Sequence, residues 1–162
     1  MDLVLEVVPD QVTLVPDAHD AITSNAGWNT LEHKDFLTDI CKVFKAKGIR
    51  TSIFIDPDPE MARGAAACGA DRVELYTADY AEQYPHGPEK AIARYLEAAK
   101  AAREAGLGLN AGHDLNLDNL AFFVHTIPWT AEVSIGHALI SDALYMGLEK
   151  TIGAYLTEIR KK

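Results

Sequence analysis

The sequence predicts an α/β domain built on a parallel sheet, and three observations carry that reading. Short β-rich runs alternate with longer helical patterns along the whole chain. The strand runs read as continuous apolar segments rather than alternating ones, as in a sheet covered on both faces. Two successive strand–helix units also end in a Gly-His pair, Gly112-His113 and Gly136-His137, each at the carboxyl end of its strand. In parallel α/β folds that end gathers the chemistry, because loops and helix N-termini converge there.

The elements follow in order. Residues 1–8 (Met-Asp-Leu-Val-Leu-Glu-Val-Val) read as the last two turns of a helix. Strands are expected at 11–15, 51–55, 72–75, 108–110 and 132–135, and helices at 31–47, 59–68, 88–105, 117–126 and 141–160. Pro59 and Pro88 sit where a first helical turn tolerates proline, and Gly48, Gly69 and Gly106 close helices as left-handed caps. Ala91, Ile92, Tyr95, Leu96, Ala99 and Ala102 recur at helical spacing, so that helix lays one apolar stripe on the sheet. Right-handed crossovers then make the strands parallel. A (β/α)8 barrel needs eight such units in about 250 residues, and only five are counted here. An open five-stranded sheet is the alternative, with two apolar edges that need cover.

Loops divide by face. At the strand carboxyl ends, 16–30 is long and polar and suits a mobile lid, 56–59 is a rigid turn, and 76–87 carries Tyr76, Tyr80, Tyr84 and His86. The opposite loops, at Gly48 and Gly69, are only a few residues long. That is how a barrel enzyme divides function from stability.

Composition narrows the function classes. The 162 residues, 48% hydrophobic and 24% charged, fit a single soluble domain over 1–162. A net charge of −9 argues against nucleic acid or an anionic membrane as partner. Cys41 and Cys68 lie among apolar helical residues and read as buried thiols of a reducing cytosol. Neither a secretory signal nor an apolar run of about 20 residues is seen, so the expected location is the cytoplasm.

Three blocks together resemble the pyridoxine 5′-phosphate synthases of deoxyxylulose-dependent vitamin B6 synthesis. They are Gln11-Val12-Thr13-Leu14-Val15-Pro16-Asp17 followed by Thr23, Asn110-Ala111-Gly112-His113, and Ile135-Gly136-His137-Ala138. The segments Arg50-Thr51-Ser52-Ile53-Phe54-Ile55-Asp56 and Val73-Glu74-Leu75-Tyr76-Thr77 fall in the family's order and spacing. The resemblance covers essentially the whole chain and corresponds to about the last two thirds of a family member. It implies a TIM (β/α)8 barrel, of which this chain holds about five βα units as its carboxy-terminal part. It also implies condensation of 1-deoxy-D-xylulose 5-phosphate with 3-amino-2-oxopropyl phosphate to pyridoxine 5′-phosphate, phosphate and water. No metal or organic cofactor is implied, and the assembly is a homo-oligomer.

Imine formation, phosphate loss, hydration and ring closure all move protons at neutral pH, for which an imidazole of pKa about 6.5 is suited. By resemblance His113 is the proton donor and Glu74 stabilises charge in the transition state. Thr23 contacts the deoxyxylulose phosphate, and Gly136 and His137 hold the aminoketone phosphate. Backbone N–H groups at the start of the following helix would cradle that dianion without a lysine. Asp114 stands where the family pattern has a glycine whose backbone contacts the same phosphate; as aspartate it is also placed to cap the next helix.

The family's Asn-x-Asp-His block, its phosphate-holding arginines and its histidine and glutamate bases have no counterpart here, so the isolated chain is not expected to turn over. The competing readings are another phosphosugar lyase or isomerase on a barrel, and a half-barrel kept as an inactive assembly or binding module. A Schiff-base aldolase would want a lysine at a strand carboxyl end, where this chain has none. His19, His33, His86 and His125 read as surface or packing residues, and Phe122, Phe123 and Trp129 as core or interface. Trp28 is a candidate to pack over the mouth of the site.

Overall fold

In a computed structural model, residues 1–18 and 20–160 are described. Helix α1 (Asp2–Val7) precedes strand β1 (Gln11–Leu14). Then follow α2 (Lys34–Ala46), β2 (Arg50–Ile55), α3 (Pro59–Ala67), β3 (Arg72–Tyr76), α4 (Ala78–Gln83) with a 3₁₀ turn (Tyr84–His86), and α5 (Pro88–Glu104). The chain continues through β4 (Gly108–Gly112), α6 (Leu120–Thr126), β5 (Thr130–Ser134), α7 (His137–Met146) and α8 (Leu148–Arg160). All five strands are parallel and pair in sequence order, β1-β2-β3-β4-β5. With right-handed crossovers and no reversal of order, every connecting helix falls on one face of the sheet. None of the described helices is long and apolar enough to cross a membrane.

One sequence expectation needs correction: the strands alternate. Ile53, Ile55, Val73, Leu75, Leu109 and Ala111 enter the core beneath the helices. The residues between them, among them Thr13, Ser52, Glu74, Asn110 and Ser134, belong to the other, polar face. A singly wound sheet has helices to bury on one side only, so that side is the apolar one; Phe54, in register with Glu74, is the exception on the polar face.

The polar face is concave. On a flat sheet β1 and β5 would lie four spacings, about 19 Å, apart. Yet Gln11 Nε2 donates to Glu132 Oε2 at 3.2 Å, and Arg50 Nη2 meets Glu132 Oε1 at 3.0 Å. Arg72, from β3, reaches the same carboxylate at 3.0 Å, and Asn110, from β4, donates to it at 3.3 Å. Only a strongly curled sheet brings these side chains to one point, Gln11, Arg50 and Arg72 from the first positions of their strands and Asn110 and Glu132 from the middle of theirs.

Several boundaries move for local reasons. The Asn29 side chain accepts from the Leu31 and Glu32 N–H groups, a turn that delays α2 from 31 to Lys34. Asn116 does the same to Asp118 and Asn119, so α6 starts at Leu120. Inside the expected 76–87 loop lies α4, organised by Tyr80: its ring is fully buried, its N–H donates to Tyr95 Oη and its hydroxyl to Asn119 O. The last helix begins at His137 and is broken by Gly147, at φ 81°. Gly48, Gly69 and Gly106 have φ of 73°, 84° and 79°, the expected left-handed caps. Cys41 and Cys68 are buried, and burial pushes the Cys41 thiol up to about 11.

Replacing Glu132 by Gln keeps the shape but leaves Arg72, only 17% exposed, facing a neutral amide. We expect a loss of about 1 kcal/mol in urea unfolding that shrinks at 1 M salt. An unchanged midpoint at low salt would show that the curl does not depend on this carboxylate.

Candidate active site

At the carboxyl ends of the strands lies a cleft of about 490 Å³, with Thr13, Glu74, His113, Ser134, Gly136 and His137 among its walls. Glu74 stands on β3, on the polar face, and is 7% exposed. Thr13 Oγ1 donates to its Oε2 at 3.1 Å, and the Ser134 hydroxyl bonds it as well. Burial pushes the Glu74 carboxyl above the ordinary range. The two hydroxyls oppose the shift, Glu132 adds to it, and His113 opposes it slightly. Gly112 makes room for this carboxylate: a Cβ there would sit 2.5 Å from Glu74 Oε1 and 2.9 Å from the Ser134 carbonyl.

His113 follows at once, at φ 92°, a conformation that side chains other than glycine rarely adopt and that costs about 1–3 kcal/mol. Its N–H donates to Ser134 O at 3.0 Å, extending the β4–β5 ladder by one rung. Buried Thr77 holds the turn from the other side: its hydroxyl donates to Gly112 O at 2.6 Å and accepts from the Asp114 N–H at 3.1 Å. Thus fixed, the imidazole lies edge-on to Tyr76 (5.5 Å between centroids) and 6.0 Å from the His137 ring. Its Nε2 is 2.6 Å from Thr23 Oγ1, and its Nδ1 is 2.7 Å from Asp114 Oδ2.

The two Gly-His pairs therefore meet in one cleft. Gly136 is the N-cap of α7 and His137 its first residue, both exposed, and the N–H groups of a first helical turn have no intrahelical acceptor. Asp114 does not cap the next helix, which starts after Asn119; its carboxylate turns to His113 and its N–H to Thr77.

Thr23 reaches the site on the long loop before α2. That loop is anchored behind Thr23, where Trp28 N–H donates to Phe54 O at 2.8 Å. Gly27 lies so close to β2 that a Cβ would fall 2.2 Å from the Asp56 nitrogen. Trp28 packs against His33 and Phe36, at 5.2 and 5.7 Å, instead of covering the mouth.

Thr13, Ser134, Tyr76 and Thr77 were not singled out from sequence as site residues. The missed signal was the alternation: Thr13 and Ser134 share the polar face with Glu74. His33 packs as expected, and His86 lines a separate surface cleft of about 420 Å³ beside α5. His19 lies outside the described residues. Phe123 is core, and Trp129 is half-buried under Arg103.

An imidazole, a carboxyl that holds its proton to higher pH than usual, and a helix N-terminus able to take an anion converge on one cleft. Such a site defines an α/β protein equipped for acid–base chemistry on a small anionic molecule. The family model described as pyridoxal phosphate biosynthesis protein PdxJ matches residues 1–161, and the chain belongs to this family of biosynthetic enzymes. Relatives named pyridoxine 5′-phosphate synthase include those of Bacteroides thetaiotaomicron, 59% identical, and Bacteroides fragilis, 61% identical. In each, the match spans 160 residues, 99% of this chain and 68% of the relative. That of Christiangramia forsetii is 58% identical over 156 residues, 96% of this chain and 66% of its own. Among solved structures, the HMG-CoA lyase from Brucella melitensis shares 20% identity, with TM-score 0.48 over 75% of this chain and 48% of that one.

Two outcomes test the site's energetics. Because the Glu74 carboxyl is raised on folding, the folded protein holds that proton to higher pH than the unfolded chain does. Its ionisation therefore opposes folding above the ordinary carboxylate range and has no effect below it. Glu74→Gln is expected to melt a few degrees higher than the parent at pH 7, with the gain gone near pH 4. Thermal melts across that range decide it. Separately, His113→Gly is expected to be more stable than His113→Ala by about 1 kcal/mol, since only glycine relaxes at φ 92°. Equal denaturant midpoints would show that the turn holds no such strain.

Proposed function

We propose that this chain carries the pyridoxine 5′-phosphate synthase site at which 1-deoxy-D-xylulose 5-phosphate and 3-amino-2-oxopropyl phosphate condense. The observation that carries the proposal is the convergence of His113, Glu74, Thr23 and the Gly136-His137 helix start on one cleft. The names borne by relatives about 60% identical to it support the product, pyridoxine 5′-phosphate, and the two substrates are those the family resemblance implies.

In this reading His113 passes protons to the condensing carbonyl and leaving groups. Glu74 stabilises the positive charge of an imine as it forms, its own charge supported by the hydroxyls of Thr13 and Ser134. The aminoketone phosphate sits over the first turn of α7, held by the backbone of Gly136 and by His137, with Asp114 next to it. Thr23 faces the deoxyxylulose phosphate. A net charge of −9 is no obstacle to two phosphates when the anion is met by peptide dipoles.

The curl and sequential winding of the sheet favour a (β/α)8 barrel as the complete architecture. We further propose a homo-oligomer in the cytoplasm. The exposed Leu144 and Tyr145 of α7, 81% and 92% accessible, support association, and the two buried free thiols fit a reducing compartment.

Two measurements test the reading separately. Inorganic phosphate titrated into the ¹⁵N-labelled protein is expected to move the amide signals of Gly136, His137 and Ala138; signals that stay still would remove the phosphate assignment. In the synthase assay with both substrates, His113→Ala is expected to lower any rate of pyridoxine 5′-phosphate formation by about 10²-fold or more. A variant as fast as the parent would take the proton-transfer role away from His113.

A further inference from the structure

The carboxylate of Asp114 has a place in the site that the family resemblance does not give it. An ionised carboxylate only accepts hydrogen bonds, so the 2.7 Å contact between Asp114 Oδ2 and His113 Nδ1 requires a proton on Nδ1. The neutral ring then carries its lone pair on Nε2, where the Thr23 hydroxyl donates at 2.6 Å. Thr23 thus stands where a substrate atom exchanging a proton with Nε2 would stand.

The contact is fixed at both ends. The N–H of Asp114 is bound by the buried Thr77 hydroxyl, which also holds the Gly112 carbonyl, and the N–H of His113 is bound by Ser134 O. Little backbone freedom remains to be lost when the carboxylate turns onto the ring. A glycine at 114 would leave Nδ1 without this acceptor.

We propose that Asp114 is a positioning residue for His113: it holds the imidazole as the Nδ1–H tautomer, aims Nε2 into the cleft, and balances the ring's charge when Nε2 takes a proton. The cycle closes without any other reactant. A proton arriving at Nε2 makes the imidazolium, its delivery to substrate restores the Nδ1–H form, and Asp114 stays ionised throughout. The inference rests on the reading of His113 as the proton-transfer group, and it adds the residue that decides which nitrogen does the work.

The test is long-range ¹H–¹⁵N spectroscopy of the full chain with labelled histidine. The spectra are recorded at about pH 8.5, two units above the ordinary imidazole midpoint. The parent is expected to show His113 with Nδ1 protonated and Nε2 bare. Asp114→Gly is expected to move the tautomer ratio roughly tenfold toward Nε2–H, the form a free histidine side chain prefers in water. Asp114→Asn, whose amide oxygen still accepts from Nδ1–H, is expected to keep the parent tautomer.

A parent with Nε2–H predominant, or a glycine variant with an unchanged ratio, would overturn the proposal. If the glycine variant does not fold, the parent and asparagine spectra decide it. The measurement needs no substrate, so failure to form pyridoxine 5′-phosphate would count against the synthase reading alone. An unchanged tautomer in a protein that turns over would count against Asp114 alone.

Discussion

Glu132 is the residue at which the curl of this sheet is tied. One carboxylate, midway along β5, meets side chains from β1, β2, β3 and β4. Parallel strands twist in any case, but twist alone leaves the first and fifth strands of a sheet far apart. The polar hub links them, and Arg72, mostly removed from water, has its carboxylate partner there. With the curl in place, Thr13 of β1 lies within reach of Glu74 of β3, and Thr23, on the loop after β1, reaches His113 after β4. Arg50 and Arg72 enter the hub from the amino ends of their strands, while Glu132 stands in register with Asn110 and Glu74 and adds to the upward push on the Glu74 carboxyl.

The cleft itself is sparing with charge. The start of α7 presents peptide N–H groups to it, and its carboxyl is buried under two hydroxyls instead of being paired with a cation. Burial without a cation holds the Glu74 carboxyl above its ordinary range; an arginine in the same place would have pulled it down and fixed it as a carboxylate. His113 meets the opposite condition, with a carboxylate on one nitrogen and a hydroxyl on the other. Two groups with contrasting surroundings face one space, the arrangement acid–base chemistry at neutral pH requires.

Much of this was legible in the sequence. The strand–helix rhythm, the glycine caps and the paired Gly-His turns all follow from local rules that tertiary structure did not override, while Glu74 came only from the family resemblance. What stayed hidden depends on distance. Helix α4 is six residues long and exists because Tyr80 is gripped by Tyr95 and Asn119, far along the chain. The starts of α2 and α6 were set by asparagine side chains that bond the backbone two or three residues on. The strands were read as uniformly apolar, although residues such as Thr13, Ser52, Glu74 and Asn110 already mark every second place. That misreading concealed both the concave face and the supporting roles of Thr13 and Ser134. The partner chosen by Asp114 was also out of reach, since it depends on the left-handed backbone of His113.

The alternation of the strands has a consequence for substitution. Ile53, Val73 and Leu109 answer to packing, while in the alternate places Glu74 faces the cleft and Asn110 joins the Glu132 hub, so the two faces carry different demands. Gly112 escapes this division of labour. Its missing side chain gives space to the Glu74 carboxylate and to the Ser134 backbone at once. A substitution elsewhere in the cleft meets the neighbours of one strand, whereas any side chain at 112 would meet that carboxylate and that carbonyl together.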